Sequence, residues 1–205
     1  MLIADIGNRH IHIYDGLCVE HLRVDSAIKK YADKDIAYIS VNHKVEDSIK
    51  NQTQWRDISH KIVLDGSYDT MGIDRKALCL SHRDGLFIDA GSAITVDLVE
   101  GGVYQGGFIL LGLSSMIDAY SKISPALSTT LNREISIDRL PITTRDGISY
   151  GIIAPIKSVI KRYQKDHRVY FTGGDGEFLS SYIEGSIFDD KLVFKGVLNS
   201  LNQTK

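Results

Sequence analysis

The chain has 205 residues but only two cysteines, three prolines and one tryptophan. Cys18 and Cys79 do not form a Cys-x-x-Cys pair, which excludes a zinc ribbon and a dithiol redox motif. A chain of this length with two thiols is typical of a reducing compartment. Each cysteine is therefore interpreted as a small buried hydrophobic residue.

The sequence also lacks an excess of charge and a long apolar run. Its formal net charge is −2, without a long block of one sign, which argues against a nucleic-acid or membrane-surface partner. The densest apolar run, Phe108 to Leu113, is too short to span a bilayer. The first residues show no basic region ahead of an apolar core, so we expect no signal peptide and a cytoplasmic location.

Several familiar catalytic motifs are missing as well. There is no Walker-type Gly-x-x-x-x-Gly-Lys-Ser/Thr, no Gly-x-Ser-x-Gly elbow and no His-x-x-x-His pair. His10 and His12 share one face of a predicted strand, but no third metal ligand can be named beside them. We interpret them as ordinary strand residues.

One short pattern is present twice. Leu2 to Asn8 and Leu86 to Ser92 each contain an apolar run, an Asp, a Gly two residues later and a small polar residue. Each copy is followed by a second β-like run, so each predicts a strand, a tight glycine turn and a returning strand. The two acids are 84 positions apart, which favours two similar halves.

The order of elements supports this duplication. Each half is predicted as three antiparallel strands followed by alternating helices and strands, which gives an α/β fold with a mixed five-stranded sheet and helices in each half. In detail, we expect strands at 61–64 and 192–194, and a helix at 144–163 that Pro155 kinks or restarts. The predicted domains are residues 1–83 and 84–205.

The repeated turn has a chemical interpretation. Glycine lets the backbone turn sharply and present amide groups to an anion, and Asp5 could hold Mg²⁺ through water. Ser92 and Thr95 would add hydroxyl groups in the second copy. The alternative is a pair of ordinary Asp-x-Gly hairpin turns, which are common in proteins.

A second motif, Gly72-Ile73-Asp74-Arg75, lies at a predicted helix start. An acid there stabilises the helix N-terminus, which is the structural interpretation of Asp74. The functional interpretation is a general base that orients a hydroxyl group for phosphoryl transfer. Arg75 would then pair with an anionic substrate group or lie on the helix surface.

Taken in order, these segments resemble the type III pantothenate kinases. The resemblance is carried by six segments between residues 5 and 174, and it covers roughly residues 2 to 176. They are Asp5-Ile6-Gly7-Asn8, Gly72-Ile73-Asp74-Arg75, Asp89 to Asp97, Gly106-Gly107-Phe108-Ile109, Thr144 to Gly151 and Thr172-Gly173-Gly174. The family belongs to the acetate/sugar kinase and actin-like superfamily, whose halves are ribonuclease-H-like.

The resemblance implies ATP-dependent phosphorylation of pantothenate, the first step of coenzyme A biosynthesis. It implies Mg²⁺ with ATP, a monovalent cation (K⁺ or NH₄⁺) and a homodimer. By position, Asp74 would be the catalytic base, Asp89 would bind the monovalent cation and Ser92 would contact ATP. The expected phosphate-binding residues are Asp5, Ile6, Gly7, Asn8, Arg9, His10, Ile11 and His12. The expected pantothenate-binding residues are Tyr68, Gly72, Ile73, Asp74, Arg75 and Thr144.

The chain departs from the family pattern at Arg9, where the family usually has Thr, and at Leu111, where it usually has Pro. Neither change removes a proposed catalytic carboxylate. Two other functions remain open at this point. One is a non-catalytic, nucleotide-binding regulatory protein on the same scaffold, and the other is a kinase for another small hydroxylated substrate.

Overall fold

A computed structural model describes residues 1–203 and contains two five-stranded sheets with the same pairing pattern. The strands are β1 Leu2–Ile6, β2 Ile11–Tyr14, β3 Val19–Leu22, β4 Ile36–Ser40, β5 Arg56–Asp57, β6 Gly85–Ala90, β7 Ala93–Glu100, β8 Val103–Leu111, β9 Val169–Thr172 and β10 Ile187–Phe188. The helices are α1 Val24–Tyr31, α2 Glu46–Gln52, α3 Ile73–Cys79, α4 Leu113–Ile123, α5 Thr144–Gln164, α6 Gly176–Ser180 and α7 Leu192–Gln203.

The first sheet has the order β3-β2-β1-β4-β5. Strand β1 pairs antiparallel with β2 and parallel with β4, so the carboxyl ends of β1 and β4 lie at the same edge. Alternation along β1 and β2 buries Ala4, Ile6, Ile11 and Ile13 in one apolar cluster. The Asp15-Gly16 turn joins β2 to β3, and two backbone amides donate to the Asp15 carboxylate.

The second sheet repeats this arrangement with the order β10-β9-β6-β7-β8. Strand β6 pairs antiparallel with β7 and parallel with β9. Its core is apolar, and buried residues of β6, β7 and β9 pack against the buried face of α5. The duplicated mixed sheets confirm the predicted α/β fold class.

The chain divides into two compact units, which are described separately. The first contains residues 1–83, 101–104 and the described chain from Asp190 onward, and the second contains residues 84–100 and 105–189. This division differs from the predicted one because the chain returns to the first unit at its C-terminal end. There, helix α7 packs against α3 and β1.

Three predicted elements differ from the structure. The strand expected at 61–64 is wrong, because residues 59–61 form a 3₁₀ turn and the edge strand is β5. The strand expected at 192–194 is the first turn of α7, where Leu192, Val193 and Phe194 are buried in a helix. Pro155 does not restart a helix, because α5 runs through it from Thr144 to Gln164.

No helix among residues 1–203 has both the length and the apolar character needed to cross a membrane.

Candidate functional site

The first glycine turn connects β1 to β2 in the first unit. Asp5 is half-buried near the end of β1, and the amide of Gly7 donates to the carbonyl of His10 at 3.0 Å. Asn8, Arg9 and His10 are exposed on the turn. Two of the expected phosphate-binding residues, Ile6 and Ile11, have fully buried side chains, so they can offer only backbone groups to a phosphate.

Asn42 supports this turn and was missed by the sequence analysis. Its side chain is 7% exposed, and its Nδ2 donates to the carbonyl oxygens of Gly7 at 3.3 Å and Asn8 at 3.4 Å. The amide of Val41 also donates to the carbonyl of Ile6. The available signal was a polar residue just after the buried strand β4, which runs parallel to β1.

His12 lies directly opposite Asp5 in the β1–β2 pairing. Its Nδ1 is 2.5 Å from the Nδ1 of His21, across the β2–β3 pairing. Burial, followed by the neighbouring His21 and His10, lowers the pKa of His12 from 6.5 to about 4. His12 is therefore a neutral imidazole at neutral pH, and it adds no positive charge beside Asp5.

The Gly72–Arg75 motif forms the start of α3. Gly72 is the N-cap residue, and a Cβ atom added there would lie 2.6 Å from Oδ1 of Asp74. The same Oδ1 accepts a hydrogen bond from the amide of Arg75 at 2.7 Å. A glycine at position 72 thus leaves the space that the half-buried Asp74 carboxylate occupies.

Arg75 is buried, with 7% of its surface exposed. Its guanidinium donates to the hydroxyl of Tyr68 at 2.7 Å and to that of Tyr104 at 3.4 Å. The guanidinium carbon also lies 5.9 Å from the centre of the Tyr68 ring. Because a buried guanidinium is costly without hydrogen-bond partners, these contacts fix Arg75 in place. Tyr104 is a further residue that the sequence analysis missed.

The second glycine turn joins β6 to β7 in the second unit. Asp89 is half-buried on β6, opposite Thr95 on β7 and Thr172 on β9. Directly opposed residues of paired strands point to the same face of a sheet, so these three oxygen-bearing side chains form one row. The Oγ1 atom of Thr95 is buried and has no hydrogen-bond partner among the described residues. Ser92 is exposed at the turn itself.

Two other glycines pack closely on this second turn. A Cβ added at Gly112, the residue before α4, would lie 2.5 Å from the carbonyl oxygens of Gly91 and Ser92. A Cβ added at Gly173, which has φ of +86°, would overlap the Asp89 carboxylate and lie 2.7 Å from the Ala90 carbonyl. The absence of a side chain at Gly173 therefore allows the Thr172-Gly173-Gly174 segment to lie directly against Asp89.

Thr144 lies in the second unit, in the exposed first turn of α5. The hydroxyl of Thr143 caps this helix by accepting from the amide of Asp146 at 3.1 Å. The side-chain amide of Asn132 donates to Asp146 at 2.8 Å and, together with the Thr143 hydroxyl, lowers the pKa of that carboxyl group. These contacts hold the helix start in a defined place.

The structure thus forms three local groups from the predicted residues. The first turn gathers residues 5–12, and the start of α3 gathers Gly72, Ile73, Asp74 and Arg75, with Tyr68 bound to Arg75. The second unit holds Asp89 and Ser92 at its turn and Thr144 on α5. Among residues 1–203, no three His, Cys, Asp or Glu side chains cluster closely enough to hold a metal ion by themselves.

Comparison with known proteins shows one consistent family. A sequence model described as type III pantothenate kinase matches residues 39–166. Type III pantothenate kinase from Campylobacter jejuni is 38% identical over 96% of this chain and 94% of its own length. The same enzyme from Wolinella succinogenes is 39% identical over 100% of this chain and 98% of its own length.

Two solved structures have the same fold as this chain. A Campylobacter jejuni protein, assigned provisionally to the Baf family of transcriptional activators, superposes with a TM-score of 0.90 at 35% identity, covering 100% of this chain and 98% of that one. A 2-dehydro-3-deoxygalactonokinase-like protein from Sinorhizobium meliloti has a TM-score of 0.62 at 12% identity, covers 99% of this chain and 98% of that one, and shares the fold alone. Given the extent of the sequence match, this chain belongs to the type III pantothenate kinase family.

Proposed function

We propose that this protein transfers the γ-phosphoryl group of ATP to the primary hydroxyl of pantothenate, forming 4'-phosphopantothenate at the first step of coenzyme A biosynthesis. The family match and the names of the relatives support this reaction. The observation that carries it is the start of α3, where Gly72 leaves room for the Asp74 carboxylate beside the fixed Arg75 guanidinium.

Asp74 is proposed as the base. A carboxylate is a weak base for an alcohol, but phosphoryl transfer has a loose transition state, so the base mainly orients the hydroxyl and accepts its proton late. The hydrogen bond from the Arg75 amide fixes one carboxylate oxygen. A group held in this way contributes by positioning, which supplies much of the acceleration in such reactions.

Arg75 is proposed to bind the carboxylate of pantothenate. Its guanidinium is oriented by the hydroxyls of Tyr68 and Tyr104, and a pre-oriented guanidinium is well suited to a planar carboxylate. Tyr68 is 45% exposed, so it can also offer its ring to the substrate. Ile73 and Thr144 complete the proposed set of pantothenate-binding residues.

The first turn is proposed to serve Mg²⁺ and the phosphates. Mg²⁺ prefers oxygen ligands, keeps several waters and is usually held by one or two carboxylates together with substrate phosphates. A single half-buried carboxylate, Asp5, beside a glycine turn fits that requirement. Asn8, Arg9 and His10 are exposed on the turn and available to phosphate oxygens. The bound ion would neutralise phosphate charge during transfer.

The second turn is proposed to hold the monovalent cation, K⁺ or NH₄⁺, near Asp89. The buried Thr95 Oγ1 lacks a hydrogen-bond partner among the described residues and lies in line with Asp89 and Thr172. A cation in this row would satisfy that oxygen, so the residues fit the group. Ser92, exposed at the same turn, is proposed to contact ATP.

We further propose that the protein acts as a homodimer in the cytoplasm. An apolar groove of about 440 Å³ lies between β8, α4 and α5 in the second unit, and Met116, Ala119 and Tyr120 line one side of it. Leu111, which also lines it, is 59% exposed. An exposed apolar groove of this kind is typical of a surface covered by a partner.

A regulatory function is the second candidate, because the solved relative carries a description as a transcriptional activator. A role in direct DNA contact would require a basic surface, whereas this chain has a net charge of −2. A regulatory protein on this scaffold would bind nucleotide without turning it over.

One assay separates these candidates. Purified protein is incubated with ATP, Mg²⁺ and K⁺, and ADP release is followed with pantothenate or with a panel of sugars. The proposal predicts ADP release in the presence of pantothenate and none in the presence of any of the sugars. Turnover with a sugar but not pantothenate would contradict the substrate, and nucleotide binding without any turnover would favour the regulatory function. A monomeric mass on gel filtration would contradict the dimer.

A further inference from the structure

Helix α7 makes an unusually close approach to α3, the helix that carries Asp74. Among residues 1–203, these two helices form the most extensive helix–helix contact. A Cβ added at Gly196 of α7 would overlap the carbonyl oxygen of Ala77 and lie 3.1 Å from the amide nitrogen of Ser81. Only glycine at position 196 permits this spacing between the two backbones.

Asn199 adds a directed contact one turn further along α7. Its Nδ2 donates to the carbonyl oxygen of Leu80 at 2.9 Å and to that of Ser81 at 3.2 Å. The last carbonyl groups of a helix have no partner within the helix, so this amide caps the C-terminal end of α3. The seven-residue helix α3 is too short to be stable by itself and depends on such contacts.

The same helix α7 also packs on the first sheet. The ring of Phe194 stacks on Tyr14 of β2 with centroids 5.2 Å apart, and α7 contacts β1. Strand β1 carries Asp5, so α7 touches both the strand that bears the first-turn carboxylate and the helix that bears Asp74. All these contacts lie within the first compact unit.

We infer that α7 fixes the position of Asp74, and that Gly196 and Asn199 are positioning residues for phosphoryl transfer. This inference rests on the proposed function, because it treats Asp74 as the base. Asn199 holds the far end of α3 while Gly196 sets its distance from α7. Displacing a reacting group by about 1 Å can cost up to 10²-fold in rate, so a small shift of α3 has a measurable effect.

The test compares Asn199→Ala and Asn199→Asp with Asn202→Ala, an exposed control on the same helix. Asn199→Asp keeps the side-chain shape but replaces the amide donor with an acceptor that faces two carbonyl oxygens. We expect both Asn199 variants to lower kcat by about tenfold while KM for ATP changes by less than about twofold, because α3 carries no proposed ATP contact. Asn202→Ala should match the wild type.

Hydrogen exchange of the α3 backbone amides is measured on the same proteins. We expect faster exchange at residues 77–81 in both Asn199 variants and unchanged exchange in the second unit. Unchanged α3 exchange, or faster exchange with an unchanged kcat, would overturn the inference. A lower kcat accompanied by faster exchange throughout the protein, including the second unit, would also overturn it, because it indicates general unfolding.

The exchange measurement does not depend on the identity of the substrate. If the wild-type protein does not turn over pantothenate, the proposed function fails, while exchange at residues 77–81 still decides whether α7 holds α3. Gly196→Ala provides a stronger perturbation of the same contact. Where that variant folds, it should lower kcat more than Asn199→Ala, and a smaller effect would contradict the role given to the close approach.

Discussion

The two glycine turns occupy the same place in two sheets of the same topology, yet they differ in length and surroundings. Four residues, 7 to 10, separate the paired Ile6 and Ile11, whereas three, 91 to 93, separate the paired Ala90 and Ile94. The first turn is supported by the side chain of Asn42. The second is enclosed by the backbones of Gly112 and Gly173. A duplicated scaffold therefore carries two turns with different local surroundings.

The rows of side chains beside the two acids differ in the same way. Asp5 is flanked by His12 and the buried Ile39, so it is the row's single oxygen-bearing side chain. Asp89 is flanked by Thr95 and Thr172, which bring two hydroxyls beside it. One carboxylate suits a hydrated Mg²⁺ bound to phosphate, while a row of oxygens suits an ion that has lost much of its water. This difference supports separate cations at the two turns.

The largest expected effect lies outside both turns, at Asp74. Asp74→Asn keeps the shape of the side chain but removes the proposed base, so kcat should fall by about 10²–10⁴-fold. ATP binding should persist, because both turns are unchanged. The measurement is single-turnover kinetics with a parallel nucleotide-binding titration. A near wild-type kcat would exclude Asp74 as the base.

The next prediction tests the close approach of Gly173 to Asp89 and Ala90 at the second turn. Gly173→Ala introduces a side chain at φ of +86° against Asp89 and Ala90, and we expect it to lower the free energy of unfolding by about 2–4 kcal/mol. Gly174→Ala is the matched control, since a Cβ there meets no atom within 4 Å. Urea denaturation measures both. Equal stabilities of the two variants would show that the close approach is not a constraint.

Thr95→Val separates a cation site from a structural threonine. Without a cation, replacing a buried hydroxyl that lacks a partner should be neutral or stabilise the fold by up to about 1 kcal/mol. The K⁺ concentration for half-maximal activity should nevertheless rise severalfold, and Thr95→Ser should preserve it. The assay is the rate as a function of K⁺ concentration. An unchanged K⁺ dependence in Thr95→Val would remove Thr95 from the proposed site.

The last prediction concerns His12, whose place opposite the acid is taken by Thr95 at the second turn. Its pKa of about 4 in the fold lies below the ordinary 6.5, so between these values the unfolded chain binds a proton that the folded chain does not. Stability should therefore fall on the order of 1–3 kcal/mol as pH drops from 6.5 toward 4, with no contribution above 6.5. Neighbouring His10 and His21 favour the neutral form, and Asp5 lies opposite.

Denaturation midpoints at several pH values between 4.5 and 7.5, chosen to bracket these two pKa values, provide the check. His12→Gln should flatten the decrease, while the exposed His60→Gln should leave it as in the wild type. If His12→Gln retains the full slope, the loss of stability in acid has another origin.

Sequence patterns predicted the fold well where elements are long and apolar. The repeated Asp-x-Gly segments gave both three-stranded starts, because alternation and glycine turns are local signals. Sequence patterns failed at β5, which consists of two exposed polar residues at a sheet edge. They also failed at α7, because its first residues, Leu192-Val193-Phe194, are equally typical of a strand. In both cases tertiary packing, rather than local preference, selected the structure.

For a similar reason, the sequence indicates only part of the candidate site. Asp5, Asp74 and Asp89 lie in recognisable motifs, so their neighbourhoods could be predicted from the sequence. Asn42 and Tyr104 could not, because their roles depend on contacts across 35 and 29 positions of the chain. Gly196 likewise has no local signal, since it acts through the backbone of another helix.

The most direct test of the account compares Asp5→Asn with Asp89→Asn in pantothenate-dependent ADP release, titrating Mg²⁺ at fixed K⁺ and K⁺ at fixed Mg²⁺. The account predicts that Asp5→Asn shifts the Mg²⁺ dependence and leaves that for K⁺ unchanged, while Asp89→Asn does the opposite. If both variants shift the same cation dependence, or if Na⁺ replaces K⁺ in the wild type without loss of rate, the assignment of separate cations to the two turns is contradicted.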